Sequence, residues 1–196
     1  MPFSREAAEE ISNGGAVAIR CDKDVYTDLP RIGLAKKKNI NRQNTPFITC
    51  STDDINSIAE WADYVAIDYR RINKGLSDIS NYCRKNGIHV IADIGDIDDY
   101  KNIKELGLKY DYIATTLSVL RLQSAHLPDI VLVEQIAKTG EKMLIAEGNY
   151  TTRAHVKAAY DAGASNVCCG QAITNLYKLT RKYSTVTKTR GKHGNR

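Results

Sequence analysis

Short apolar runs alternate along the chain with longer segments in which apolar residues recur at helical spacing. The short runs lie at 16–21 (AVAIRC), 31–36 (RIGLAK), 64–69 (YVAIDY), 89–94 (HVIADI), 112–117 (YIATTL), 143–148 (MLIAEG) and 166–170 (NVCCG). They are apolar almost throughout, the pattern of strands covered on both faces. Between them, REAAEEISNGG, DDINSIAEWA, LSDISNYCRKNG, DIDDYKNIKELG and TTRAHVKAAYDAG predict helices; Ile55, Ile58 and Trp61 mark one apolar face. Gly87, Gly107 and Gly163 read as helix C-terminal stops. Strand, helix, glycine and strand again describe a chain of βα units on a parallel sheet. An eighth apolar run, PFITC at 46–50, follows RIGLAK with no helix between. It predicts a short extra strand leading into the helix at 52–62.

Five of these strands finish on a charge: Arg20, Lys36, Asp68, Asp93 and Glu147. Side chains alternate along a strand, so Ala18 and Arg20 share a face, as do Leu34 and Lys36, Ala66 and Asp68, and Ile145 and Glu147. Small or aliphatic residues below a charge suit a barrel interior with a polar mouth. An open α/β sheet concentrates function at one switch point, whereas a barrel gathers residues from many strand ends. The predicted fold is therefore α/β, a (β/α)8 TIM-type barrel with about seven barrel strands, incomplete at the N-terminus. A barrel lacking a strand leaves edges to cover, which predicts a homo-oligomer.

Composition narrows the class. A chain of 196 residues, 42% hydrophobic, supports one domain with a single large core. The expected barrel domain spans 1–183, followed by a basic, disordered tail over 184–196. No apolar run approaches membrane-spanning length, and MPFSREAAEE has no signal-peptide core, so a cytoplasmic protein is expected. The five cysteines form no Cys-x-x-Cys pair and no zinc spacing; they are expected to be free and to pack as small hydrophobes. Much of the net charge of +5 lies in KLTRKYSTVTKTRGKHGNR, which contains no acid. No RNP-type or helix-turn-helix pattern stands beside it, so a solvated tail is expected rather than a nucleic-acid partner.

Two segments look like phosphate cradles. AEGNYTT and CCGQAIT each run from a strand through a glycine, Gly148 or Gly170, to a helix start. They belong to the last two strands, where barrel phosphate sites often form. Lys36 and Glu147 are the candidates for acid–base work: a lysine buried beside Arg20 could take a proton, and a carboxylate across the cavity could return one. The alternative is a structural Lys–Glu ion pair at the mouth. Lys37 and Lys38 are expected to face solvent. Asp68 and Asp93 suit sugar hydroxyls or the orientation of Lys36. Two cations in the same cavity argue against a metal there. His89 and His155 read as structural.

The segments GGAVAIR, IGLAKK, FIT, VAIDYRR, VIADIGDID, ATTLS and LIAEGNYTTRAHVKAAYDAGASNVCCGQAIT occur in an order that resembles the N-acetylmannosamine-6-phosphate 2-epimerase family. The resemblance runs from about Gly14 to Thr180 and is strongest over 14–36 and 143–174. It implies a (β/α)8 barrel that interconverts N-acetylmannosamine 6-phosphate and N-acetylglucosamine 6-phosphate without a redox cofactor. Carried over, it makes Lys36 and Glu147 catalytic and gives substrate contacts to Arg20, Asp68 and Asp93. The phosphate loops become Gly148–Asn149 and Gly170–Gln171. The chain departs from that pattern at four places. It starts after the family's first strand, which bears a substrate-binding Gln. Asn149 and Asn175 stand where the family has Arg, and Val119–Gln123 replaces a Gly-Tyr-Thr loop. A relative that binds a sugar phosphate or a protein partner without turnover, or that acts on a different sugar phosphate, is the alternative reading; Arg121 or the basic tail could then replace a lost cation.

Overall fold

A computed structural model describes residues 4–37, 46, 48–71, 73–123, 127–177 and 179–181. Its strands are β1 (Ile19–Arg20), β2 (Arg31–Gly33), β3 (Tyr64–Asp68), β4 (Val90–Asp93), β5 (Tyr112–Ala114), β6 (Leu144–Glu147) and β7 (Asn166–Cys168). The helices are α1 (Arg5–Asn13), α2 (Thr52–Ala59), α3 (Leu76–Lys85), α4 (Ile97–Glu105), α5 (Val119–Gln123), α6 (Ile130–Ala137), α7 (Arg153–Asp161) and α8 (Gln171–Thr174). All seven predicted strands form. They pair in parallel and in chain order, β1 to β7. The sheet curls, because Arg20 on β1 reaches across to Glu147 on β6 at 2.6 Å. The architecture is an incomplete (β/α) barrel, and among the described residues β1 and β7 are its edges.

The two faces of the strands enter two different cores. Val65, Ile67, Val90, Ala92, Ile113, Leu144 and Ala146 point outward and pack with Ile55, Ile79, Ile103 and Ile136 of the surrounding helices. Ala66, Ile91, Ala114 and Ile145 point inward, with Leu34, Tyr112 and Cys168 beside them. This alternation follows from the pleat, and it delivers Arg20, Asp68, Asp93 and Glu147 to the inner face. Helix starts are set by side-chain caps: Ser51 Oγ accepts the Asp54 N–H, Thr152 Oγ1 the His155 N–H, and Asp96 forms a capping box with Asp99.

The predicted extra strand at 46–50 is corrected; Phe47 lies outside the described residues, and 48–50 form no strand. The segment instead wedges between the ends of β2 and β3. Thr49 O accepts the Asp68 N–H at 3.0 Å, and Thr49 Oγ1 accepts the Ala35 N–H at 3.0 Å. β2 is in register with β3 at only two residue pairs, so this segment takes over where the ladder stops. Helices α5 and α6 are additions to the sequence reading; the all-apolar start of IVLVEQIA hides its helical face. Lys38, the tail from 184 and the side chain of Arg121 lie outside the described residues. Among the described residues no helix is long and apolar enough to cross a membrane.

Candidate active site

Three charged strand ends meet inside the curl. Arg20 Nη1 donates to Glu147 Oε1 at 2.6 Å, and its Nη2 donates to Asp93 Oδ2 at 3.3 Å. Asp93 is fully buried, and Thr116 Oγ1 donates to its Oδ1 at 2.6 Å. One cation thus joins β1 to β4 and β6, with each guanidinium Nη held by a different carboxylate. Burial pulls the Arg20 guanidinium down, but the adjacent Glu147 and Asp93 charges outweigh it and hold it above its usual range. Burial pushes the Asp93 carboxyl up to about 7, reinforced by the Glu147 charge and opposed by Arg20 and Thr116. Arg20 Nε is buried and has no hydrogen-bond partner among the described residues, so one N–H of the site is left for something else.

Asp68 is brought to the same mouth but is engaged differently. Arg70 Nε donates to its Oδ1 at 2.9 Å and Nη2 to its Oδ2 at 2.7 Å, a bidentate fork with both side chains buried. Asn73 Nδ2 donates to the Asp68 carbonyl at 2.7 Å. The sequence reading missed Arg70. The signal was present in the i, i+2 spacing of Asp68 and Arg70, which puts both on one face of an extended chain.

The placement of Lys36 corrects an expectation. The lysine follows β2, but its side chain is exposed, so the burial that would suit it to proton transfer is not present. The ionic contacts described for Glu147 go to Arg20, not to Lys36. Lys37, expected in solvent, is the paired lysine: its Nζ lies 2.6 Å from Asp54 Oδ1 in the first turn of α2. Asp54 also accepts the Cys50 N–H at 3.1 Å, and these donors hold its carboxyl below the usual range against the opposing effect of burial.

The two glycine loops lie at the same end. Gly148 (φ 112°) and Asn149 (φ 62°) both take positive φ, turning the chain from Glu147 towards the Thr152 cap of α7. Asn is among the few non-glycine residues that accept this region readily. The Asn149 amide donates from Nδ2 to the Leu127 carbonyl at 3.2 Å. Gly170 caps the short α8, and Gln171 is its first residue, exposed. Cys168 is the register partner of Glu147 and faces inward; burial pushes its thiol up, and the Glu147 charge adds to the effect, so it stays a neutral thiol. All five cysteines are free. Among the described residues no group of three or more His, Cys, Asp or Glu could hold a metal ion.

The sequence profile of the family described as "Putative N-acetylmannosamine-6-phosphate epimerase" matches residues 5–189. The chain belongs to that family. It is 30% identical over 190 residues to the "Putative N-acetylmannosamine-6-phosphate 2-epimerase" of Clostridioides difficile, covering 90% of this chain and 83% of that one. The protein of the same name from Caldanaerobacter subterraneus is 33% identical over 193 residues, covering 90% and 80%. The solved structure of the N-acetylmannosamine-6-phosphate 2-epimerase from Clostridium perfringens matches with a TM-score of 0.78 at 26% identity, over 92% of this chain and 83% of that one. Within this epimerase family fold, the Arg20–Asp93–Glu147 cluster occupies the C-terminal ends of the strands, where barrel active sites form.

Proposed function

We propose that the protein is an isomerase that epimerises C2 of a phosphorylated N-acyl hexosamine, interconverting N-acetylmannosamine 6-phosphate and N-acetylglucosamine 6-phosphate. The observation that carries this is the meeting of Arg20, Asp93 and Glu147 at the strand C-termini of a chain of this family. In the open-chain sugar, C2 lies beside the C1 aldehyde. Either Lys36 or Glu147 takes the C2 proton. The C–H electron pair then enters the C1–C2 bond, and the C1 oxygen becomes an enolate oxygen. The other group returns a proton to the opposite face, and the aldehyde re-forms. Arg20, whose Nε–H has no partner among the described residues, and Asp93 and Asp68 hold sugar oxygens. Gly148–Asn149 and Gly170–Gln171 hold the phosphate through backbone N–H groups. The chemistry needs no redox cofactor. Lys36 is exposed, so this reading requires it to turn into the mouth when sugar binds.

Turnover of N-acetylmannosamine 6-phosphate in D2O, with deuterium entering at C2, is the expected result. Glu147→Gln and Lys36→Ala should each abolish conversion, and the variant that lacks the group taking the C2 proton should lose exchange as well. Absence of turnover, with Lys36→Ala indistinguishable from wild type, sinks the proposal. A second reading, a binding protein without turnover, draws on Asn149, whose amide is turned onto Leu127. Thermal stabilisation by the sugar phosphate without conversion would favour it.

A cytoplasmic homo-oligomer belongs to the same proposal. The sheet edges β1 and β7 among the described residues and the exposed apolar side chains Val17, Tyr26, Leu176 and Tyr177 support association. Light scattering should report a multiple of the chain mass; a single-chain mass counts against it.

A further inference from the structure

Thr115 closes a gap in the sheet beside Glu147. β5 and β6 pair in register through Ile113 with Leu144 and Ala114 with Ile145, and there the ladder ends. The bonds run regularly up to that point: Ile113 N–H to Met143 O at 2.9 Å, and Thr115 N–H to Ile145 O at 3.2 Å. In a parallel ladder the next bond would run from Glu147 N–H to the Thr115 carbonyl. That carbonyl is committed elsewhere, because it accepts the Ser118 N–H at 3.1 Å in the turn that ends β5. The Thr115 hydroxyl stands in for it. Oγ1 accepts the Glu147 N–H at 3.0 Å and donates to the Glu147 carbonyl at 3.1 Å. Thr115 is buried.

The same hydroxyl therefore grips both backbone polar groups of the residue whose carboxylate pairs with Arg20. The next residue, Thr116, turns to the inner face and holds Asp93 at 2.6 Å. Two consecutive threonines each fix one of the acidic strand ends that share Arg20. We infer that Thr115 is a positioning residue for Glu147, replacing the missing rung of the β5–β6 ladder and fixing the height of that carboxylate in the barrel mouth. Its catalytic consequence rests on the epimerase reading above; its structural content does not.

The test compares Thr115→Val, which keeps the shape and removes the hydroxyl, with Thr115→Ser, which keeps the hydroxyl. A displacement of about 1 Å at a reacting group can cost about 100-fold in rate. Thr115→Val is expected to lower kcat by roughly 10- to 100-fold with little change in KM, and Thr115→Ser to restore most of it. Hydrogen exchange at the Glu147 amide reads the rung directly: protected in wild type and Thr115→Ser, fast in Thr115→Val. Melting temperatures of both variants identify any general loss of fold, which would raise exchange throughout the sheet rather than at Glu147. Thr115→Val with wild-type kcat and a protected Glu147 amide overturns the inference. Should wild type itself fail to turn over, the epimerase reading falls while amide exchange still decides the role of Thr115.

Discussion

Asp93 shows how far a single residue's environment reaches. It is fully buried, held by Thr116 and Arg20, and lies in register beside Asp68 on β3. Its carboxyl is pushed from 3.8 up to about 7. Between those values the folded protein keeps a proton that the unfolded chain has released. Stability from this group is therefore present at low pH and lost as pH rises through that window. Asp93→Asn removes the titrating group, and its amide can still accept from Thr116. Denaturant midpoints at about pH 5 and about pH 8 should differ less in Asp93→Asn than in wild type. An unchanged difference would show that Asp93 does not titrate there.

At the scale of elements, the sequence is most readable where one rule acts alone. Strands β3 to β6 are largely buried, so their apolar runs stand out, and Asp68, Asp93 and Glu147 at their ends mark the mouth. The alternation of Ala66 with Asp68 and of Ile145 with Glu147 follows from the pleat without any long-range knowledge. Lys36 fails that test because regular pairing of β2 ends at Gly33, three residues before it. Gly33 itself has a packing reason: a Cβ there would sit 2.3 Å from Ile58 Cγ2 and 2.9 Å from the Trp61 ring. This close approach lets Ile58 and Trp61 pack directly on β2, and the Thr49 wedge occupies the space where strand pairing would continue. The pairing of Lys37 with Asp54, the fork of Arg70 on Asp68 and the rung from Thr115 also depend on which loops meet at the mouth. Each partner has several chemically equivalent candidates along the chain, so local pattern cannot choose among them. Tertiary contact makes the choice.

At the scale of the whole molecule, the apolar side chains divide unevenly. One large cluster extends from Ile55 to Ala164 and joins β3 through β6 to their helices. The start of the chain has its own small cluster of Ala8, Ile19, Cys21 and Val25, linked to the main body through Trp61. β1 is two residues long and in register with β2 at only two residue pairs, with Ile19 N–H to Pro30 O at 2.9 Å and Cys21 N–H to Ile32 O at 3.3 Å at its ends. A segment with little buried area and few ladder bonds opens at lower free energy than the core it leans on. Arg20 works against that opening, because its bonds to Asp93 and Glu147 tie β1 to strands on the far side of the curl. Amides of Ile19 and Cys21 should therefore exchange faster than those of Val65, Ile67 and Ala92 in the wild-type protein. Arg20→Met should widen the difference by accelerating the first pair while leaving β3 and β4 close to their original rates. Equal acceleration across the sheet would mean that the N-terminal strand and the main core open as one unit, and that the Arg20 contacts hold the entire barrel rather than its first edge.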